Sequence, residues 1–524
     1  MGLLNNVSNW ARDIMWSWLN EGRSTMLLTA EEKQRQSLIV LARRYYDGDH
    51  DVKLTERQKE WLAQHGSTVN FSADQCAVVI DTVVEREKVI GFEVSGEQTG
   101  DQDQNLLSKQ AWKWWDANRM DANQTEVHRR AERDGETFML VDWDATEKHP
   151  DFIPHQRYVD KSAGGDGYGM WIEYPNDDHL QKPTRAVKQW EEKTDDGKII
   201  HRRTVYYPDR VERFVQKEGK WSEFKENETD AWPTPWKAQD GSPLGIPVMA
   251  FRTPNRKSAL AKVIPLQDAL DKAWLDMLAA GDTSAFQTLL FWGVTPTTDG
   301  KEPKDDGSNL LRFAPGQVWS TRTKPADGKA DVIPAASLSG LLEMEDRIVI
   351  RIASISSTPL SRFLSSKQIA AEGTLKQQEA PLLGKVAERQ TLHGNAWEDM
   401  IRMGAKLSNV FGETAFDTEV TINAVWEQAE LRNDLEHLQQ LQIKQLLKVV
   451  DEQIWIEMGY DTDKIADFVK ERDQKRADEL RAAAKAAAEA FANQQNVGAG
   501  SGGAPTDPGT NGKVTKVTDA RQDA

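Results

Sequence analysis

Apolar residues recur at helical spacing in several stretches of the chain and alternate with polar ones between them. Residues 30–65 read as charged helix interrupted at Tyr45-Tyr46-Asp47-Gly48-Asp49-His50. Cys76, Val79, Ile80, Val83 and Val84 form a stripe that predicts a long helix opening at Asn70-Phe71 and closing at Gly91, with a strand starting at Phe92–Val94. A further helix is predicted over 104–134, carrying Trp112, Trp114 and Trp115. Gly135 ends it ahead of a strand over 137–143. From 150 to 250 the pattern changes to short alternating runs between turn residues. Strands are predicted at Thr204–Tyr207, Val211–Val215 and Val248–Phe251, with Trp232-Pro233-Thr234-Pro235-Trp236 on the surface or against a neighbour.

Helical periodicity returns over 258–286 through Leu260, Val263, Ile264, Leu266, Leu270 and Trp274, and again over 337–355 through Leu338, Leu341, Leu342, Ile348, Ile352 and Ile355. Between them, strand-like runs at Leu289–Val294, Leu310–Phe313, Gln317–Ser320 and Asp331–Ile333 predict a small β-rich insert. The loop Ser356-Ser357-Thr358-Pro359-Leu360-Ser361-Arg362-Phe363 leads into a helix over 366–409. At 1.5 Å per residue it would span about 60 Å, as a strut or with a kink at Pro381 or Gly384. A strand at Glu419–Val425 follows, then two charged helices over 427–493 separated by Gly459-Tyr460-Asp461. From Gln494 the composition is that of a disordered tail. The fold class is α+β, mainly helical with mixed antiparallel sheets.

With 39% hydrophobic and 28% charged residues, the 524-residue chain has the composition of a soluble globular protein. A formal charge of −17 argues against tight non-specific duplex binding, which needs a basic surface. The one cysteine, Cys76, excludes an internal disulfide and a Cys-rich zinc site and suits a reducing cytoplasm. No apolar run reaches the ~18 residues of a membrane span. Met1-Gly2-Leu3-Leu4-Asn5-Asn6 lacks the basic and apolar regions of a signal peptide and has Asn6 where a myristoylation motif takes Ser or Thr. Nineteen Trp fit either an ordinary core or an interface-rich oligomer.

Catalytic chemistry is not visible. No Gly-Lys pair is followed by Ser or Thr, so there is no phosphate-cradling loop, and Gly164-Gly165-Asp166-Gly167-Tyr168-Gly169 reads as a flexible loop. The nine His are scattered without metal-ligand spacing, no nucleophile elbow occurs, and Cys76 has no identifiable base. Asp142 and Asp144 would share one strand face, either as a divalent-ion site or as a solvated strand end. No catalytic residue, cofactor or metal is assigned, and the chain reads as non-enzymatic.

Several segments, in order, resemble the Gp6-like portal proteins of long non-contractile-tailed bacteriophages, over roughly residues 30–490. They are Tyr45–His50, Asn70-Phe71 with the helix that follows, Ala131-Glu132-Arg133-Asp134-Gly135-Glu136 before a strand, and Gly245-Ile246-Pro247-Val248 with Phe251. The strongest is Ser365-Ser366-Lys367-Gln368-Ile369-Ala370 with Leu375-Lys376 and the Leu382–Gln390 helix, although Lys367 and Gln368 stand where the family commonly has Gly and Glu. Trp426 followed by two helices completes the set.

The resemblance implies the following organisation: an N-terminal segment (1–29), a wing (30–257), a stem helix (258–286), a clip (287–336), a second stem helix (337–355), a tunnel loop (356–365), a long wing helix with a return strand (366–426), a crown (427–493) and a disordered tail (494–524). It further implies a ring of about twelve copies at one capsid vertex of the virion, assembled in the host cytoplasm, through which double-stranded DNA enters and leaves. Implied partners are the terminase large subunit, a head-tail adaptor, the major capsid protein and scaffolding protein. Arg362 and Lys367, in and just after the tunnel loop, are expected to face DNA, and Trp292, Arg312, Trp319 and Arg322 to serve docking at the clip. Basic and acidic residues over 262–411 come within one charge of balance, so nearly all of the −17 lies elsewhere. A balanced bore inside an acidic body would hold a polyanion weakly. Another virion structural protein, or a nuclease using Asp142 and Asp144, remains an alternative at this point.

Overall fold

The computed structural model describes residues 30–50, 73–95, 101–194, 196–217, 220–285, 289–292, 329–332, 338–363, 372–430, 441–447 and 462–497, with isolated residues between 56 and 63 and between 451 and 458. Chain contacts define two units, Met1–Glu430 and Leu431–Ala524.

In the first unit, α1 (Ala30–Tyr46) turns Ile39, Ala42 and Tyr45 inward, a three-residue spacing that keeps them on one face. The stripe at Cys76, Val79, Ile80, Val83 and Val84 is buried on α2, which is shorter than its pattern predicts: it spans Cys76–Val84, and Gly91 lies inside strand β1 (Val89–Ser95). Asn70-Phe71 lies outside the described residues. The helix expected over 104–134 is two helices, α3 (Asp101–Ala117) and α4 (Met120–Asp134). Arg119 takes left-handed backbone (φ 53°). The Asn118 amide donates to the carbonyls of Trp114 (2.8 Å) and Pro150 (2.9 Å) and accepts from the Phe152 N–H (2.7 Å). Asn side chains compete with helical backbone bonding, and here that competition ends one helix and ties the break to a strand.

The strand after Gly135 is β2 (Glu136–Asp144). It is central in an antiparallel sheet between β3 (His149–Gln156) and β10 (Val248–Arg252). Its neighbour is an antiparallel meander, β4 (Gly169–Glu173), β5 (Arg185–Lys193), β6 (Ile199–Tyr206), β7 (Arg210–Lys217) and β8 (Lys220–Glu223), with the two-residue β9 (Thr234–Pro235) also on β7. The predicted strands fall in β6, β7 and β10. Trp236 anchors the turn-rich segment by donating from its indole to the Gly245 carbonyl at 2.7 Å.

Two helices, α5 (Ile264–Ala285) and α6 (Ser339–Ser356), pack on α1 and α2 around Ile80, Leu260, Leu270, Val349 and Ile352. The helix predicted from 258 starts at Ile264; Leu260 and Val263 are buried in the turns before it. Between α5 and α6, β11 (Leu289–Trp292) pairs antiparallel with β12 (Lys329–Val332). The strands predicted at Leu310–Phe313 and Gln317–Ser320 lie outside the described residues. The long helix is α7 (Glu372–Phe411), 40 residues running through Pro381 and Gly384 as one element. Its Trp397, Met400 and Ile401 pack with α3, α4, β1, β2 and β13 (Thr421–Trp426), which pairs with β1. Trp115 meets Trp397 edge-on at 5.0 Å. Trp114, Trp115, Trp171 and Trp397 are buried, so core packing accounts for these four tryptophans.

In the second unit, α8 (Thr462–Val497) runs four residues beyond the predicted end. Trp455 meets Phe468 edge-on at 5.5 Å.

Candidate functional site

The α5–α6 pair has more apolar surface than its own core covers. α6 buries Val349, Ile352, Ala353 and Ser356, yet Leu342, Met344, Ile350 and Ile355 are exposed, Leu342 by 52%. A helix apolar on several sides normally lies in an interior or between subunits. An open cleft of about 540 Å³ runs along the pair, lined by Leu266, Gly340, Met344, Arg347, Ile348 and Arg351.

The loop after α6 is anchored at its base and open at its tip. Ser357 closes α6 in left-handed backbone (φ 58°). The Ser356 hydroxyl bonds Ile352 O at 2.8 Å and lies 2.9 Å from Thr358 Oγ1. Leu360 and Phe363 pack on the α1/α2/α5/α6 core, leaving Ser361 and Arg362 exposed on a single 3-10 turn. Arg362 stands at the surface and pairs with the Glu85 carboxylate just after α2. Trp292, 60% exposed, ends β11 opposite Lys329. Lys367, Arg312, Trp319 and Arg322 lie outside the described residues.

The charged step from α4 to β2 is buried. Glu132 is bonded by Arg389 of α7, with Lys385 at 3.8 Å. Asp134 takes Arg43 at 2.7 Å and Arg133 at 2.8 Å. Glu136 takes Arg35 at 2.7 Å, Arg256 at 3.0 Å, and Arg157. Burial alone would raise the Glu136 pKa, but the three guanidiniums outweigh it and hold it down at about 2. Gly135 is obligatory: its φ is +88°, and a Cβ there would lie 2.7 Å from the Arg256 carbonyl oxygen. Read as sequence, 131–136 shows a helix-to-strand step but not its burial. The available signal was acids at 132, 134 and 136 flanking a glycine.

Nor do the histidines all stay scattered. Among the described residues, two groups of ligand-type side chains form, Glu87/His128/His393 and His50/Asp74/Cys76. In the first, His393 Nδ1 lies 2.9 Å from Glu87 Oε2, and the His128 and His393 rings stack at 5.0 Å. His128 Nε2 accepts the Trp397 indole N–H at 3.1 Å, which leaves the proton on Nδ1, 3.1 Å from the Glu87 carbonyl. Burial pushes the His128 pKa well down, so the ring is neutral, and burial pushes Glu87 up. The Trp397 donor on Nε2 locks the proton on Nδ1, the nitrogen that lies 3.7 Å from the Glu87 carboxylate, so His128 has no lone pair to offer there and this group is a hydrogen-bonded core network rather than a ligand set. Asp142 is exposed; Asp144 is half-buried and caps a turn, accepting from the N–H groups of Thr146 (2.7 Å) and Glu147 (3.1 Å), and neither belongs to a ligand group of three or more among the described residues.

A helix, a strand pair, a second helix, an anchored loop and a 40-residue helix follow one another along the chain beside antiparallel sheets, an order consistent with the phage portal class. The family model described as "Phage portal protein, SPP1 Gp6-like" matches residues 27–489, and the chain belongs to that family. It is similar to the portal proteins of Mycobacterium phage D29 (22% identical over 346 residues) and Mycobacterium phage L5 (22% over 347 residues). Each match covers 63% of this chain and 63% of the relative, so the chain spans under two thirds of the length of these curated relatives. No helix among the described residues is long and apolar enough to cross a membrane.

Proposed function

We propose that the chain forms a closed ring of about twelve copies at one capsid vertex of a bacteriophage virion, as the conduit for double-stranded DNA during packaging and ejection. In this reading α5 and α6 are the stem, 287–336 the clip, 356–365 the tunnel loop and 427–493 the crown. The clip docks the terminase large subunit and later a head-tail adaptor, with Trp292, Arg312, Trp319 and Arg322 as docking residues. The ring body meets the major capsid protein and, during assembly in the host cytoplasm, scaffolding protein. The role is structural, with no reaction catalysed.

The observation that carries the reading is the family match over 27–489 together with the uncovered apolar face of α6. A head-to-tail contact repeated about an axis closes into a ring and covers such a face on every subunit. Near balance of charge over 262–411 lets duplex slide, because tight holding requires neutralised phosphates. Arg362 and Lys367 are the residues assigned to light phosphate contact. Mass photometry of the purified full chain tests this: about twelve 59.1-kDa subunits give a particle near ~0.7 MDa, whereas a single 59.1-kDa species at all concentrations contradicts it.

A further inference from the structure

Cys76 has a setting that its sequence neighbours do not reveal. Its Sγ, a ring nitrogen of His50 and a carboxylate oxygen of Asp74 all lie within 4.8 Å of one another. His50 Nε2 is 3.8 Å from Asp74 Oδ1. Three local structures converge there: the Tyr45–His50 turn leaving α1, the turn before α2, and the first residue of α2. His50 and Cys76 are buried, while the Asp74 side chain is 29% exposed and leaves a way in.

The far side of the imidazole is fixed. Asp271 Oδ2 on α5 lies 2.7 Å from His50 Nδ1. Its other oxygen accepts from the Ala73 N–H at 2.7 Å and the Gln267 amide at 3.0 Å. A carboxylate on the remote nitrogen, itself held by hydrogen bonds, is the usual support of a metal-ligating histidine. His50 Nε2 in turn lies 3.1 Å from the Tyr45 carbonyl. Both ring nitrogens therefore face oxygen acceptors.

The field at this point is negative. Tyr45, stacked on His50 at 4.5 Å, gives its hydroxyl to Asp268. Asp74 and Asp271 thus place two carboxylates against one imidazole, and a divalent cation is the counter-charge such a set takes.

We propose that Cys76 Sγ, His50 Nε2 and Asp74 Oδ1 bind one zinc-class divalent cation, with Asp271 as the outer carboxylate and the Tyr45 carbonyl or a water as fourth ligand. Bonds of about 2.0–2.3 Å place tetrahedral ligands roughly 3.3–3.8 Å apart; His50 Nε2 and Asp74 Oδ1 stand at 3.8 Å, and Cys76 Sγ lies within 4.8 Å of both. A thiolate–imidazole–carboxylate set selects zinc-class ions over magnesium or calcium. Loading releases one proton from His50 Nε2 and one from Cys76 Sγ. The ion would staple the Tyr45–His50 turn to the start of α2, beside α5. The proposal does not depend on ring formation.

The test uses the full chain, stripped with chelator, dialysed, and titrated with Co²⁺ alone and then Zn²⁺ alone. Cys76 is the chain's one thiol, so a thiolate-to-cobalt charge-transfer band reports on this site. The expected result is one ion per chain, that band, its loss on adding Zn²⁺, and release of about two protons per ion. Cys76→Ser abolishes the band while melting like wild type in chelator, and Asp271→Asn weakens Zn²⁺ binding about 10–100-fold. A folded wild-type chain that shows no band and retains no ion overturns the proposal. So does Zn²⁺ binding that is unchanged in His50→Gln and Asp74→Asn.

Discussion

Arg256 Nε lies 3.0 Å from Glu136 Oε2, across the step where α4 turns into β2. Both side chains are buried, and Arg35 and Arg157 converge on the same carboxylate. Removing one member of such a cluster leaves uncompensated buried charge, typically at a cost of about 3–5 kcal/mol. Glu136→Gln is expected to lower the denaturant midpoint accordingly. A variant within about 1 kcal/mol of wild type would mean that the cluster is already solvated.

The same carboxylate sets an acid limb. Its folded pKa, about 2, lies below the ordinary 4.5, so its contribution is complete above about 4.5 and is lost as pH falls from there through about 2. Melting curves across that window should fall more steeply with acid in wild type than in Glu136→Gln. Parallel curves would contradict the assignment.

Gly135→Ala tests the geometry beneath this cluster. The positive φ and the Cβ contact with the Arg256 carbonyl act together, and a cost of about 1–3 kcal/mol is expected in thermal melting. A neutral substitution would show that the turn relaxes freely.

These features also mark where sequence patterning stops being informative. The α5 and α6 periodicity, the first and last of the interposed strands and the length of α7 were legible because apolar spacing reports on local secondary structure. The break at Asn118 was not, because it depends on bonds to Pro150 and Phe152 more than thirty residues away in sequence. Burial of Glu132, Asp134 and Glu136 was hidden for the same reason: their partners Arg389, Arg43, Arg35, Arg157 and Arg256 are distant in sequence. The meeting of His50 with Cys76, 26 positions apart, required the fold. The exposed position of Arg362 was legible from its loop, but its pairing with Glu85 was not.

Arg362→Ala should separate stability from transport. The pair with Glu85 is solvent-exposed, and such pairs contribute at most about 1 kcal/mol, so the melting profile should hardly move. In a packaging assay with purified motor and capsids, DNA uptake should fall, while Glu85→Gln, which frees the guanidinium, should retain it. Wild-type uptake by Arg362→Ala would remove this residue from the DNA path.

The uncovered face of α6 gives an assembly prediction. Ile350 and Ile355 are 49% and 42% exposed, so a charge at either should leave the single chain folded. Ile350→Asp and Ile355→Asp are expected to keep a wild-type circular dichroism spectrum yet elute as small species in size-exclusion chromatography with light scattering. Rings at wild-type yield would show that this face is not a subunit contact.

The central claim is that copies of this chain close around an axial passage. Electron microscopy of the purified full-length protein tests it most directly. The predicted result is an annulus with a central opening wide enough for B-form duplex, walled by the α5–α6 pairs. Particles that remain solitary at high concentration, or that assemble with no axial opening, would contradict it.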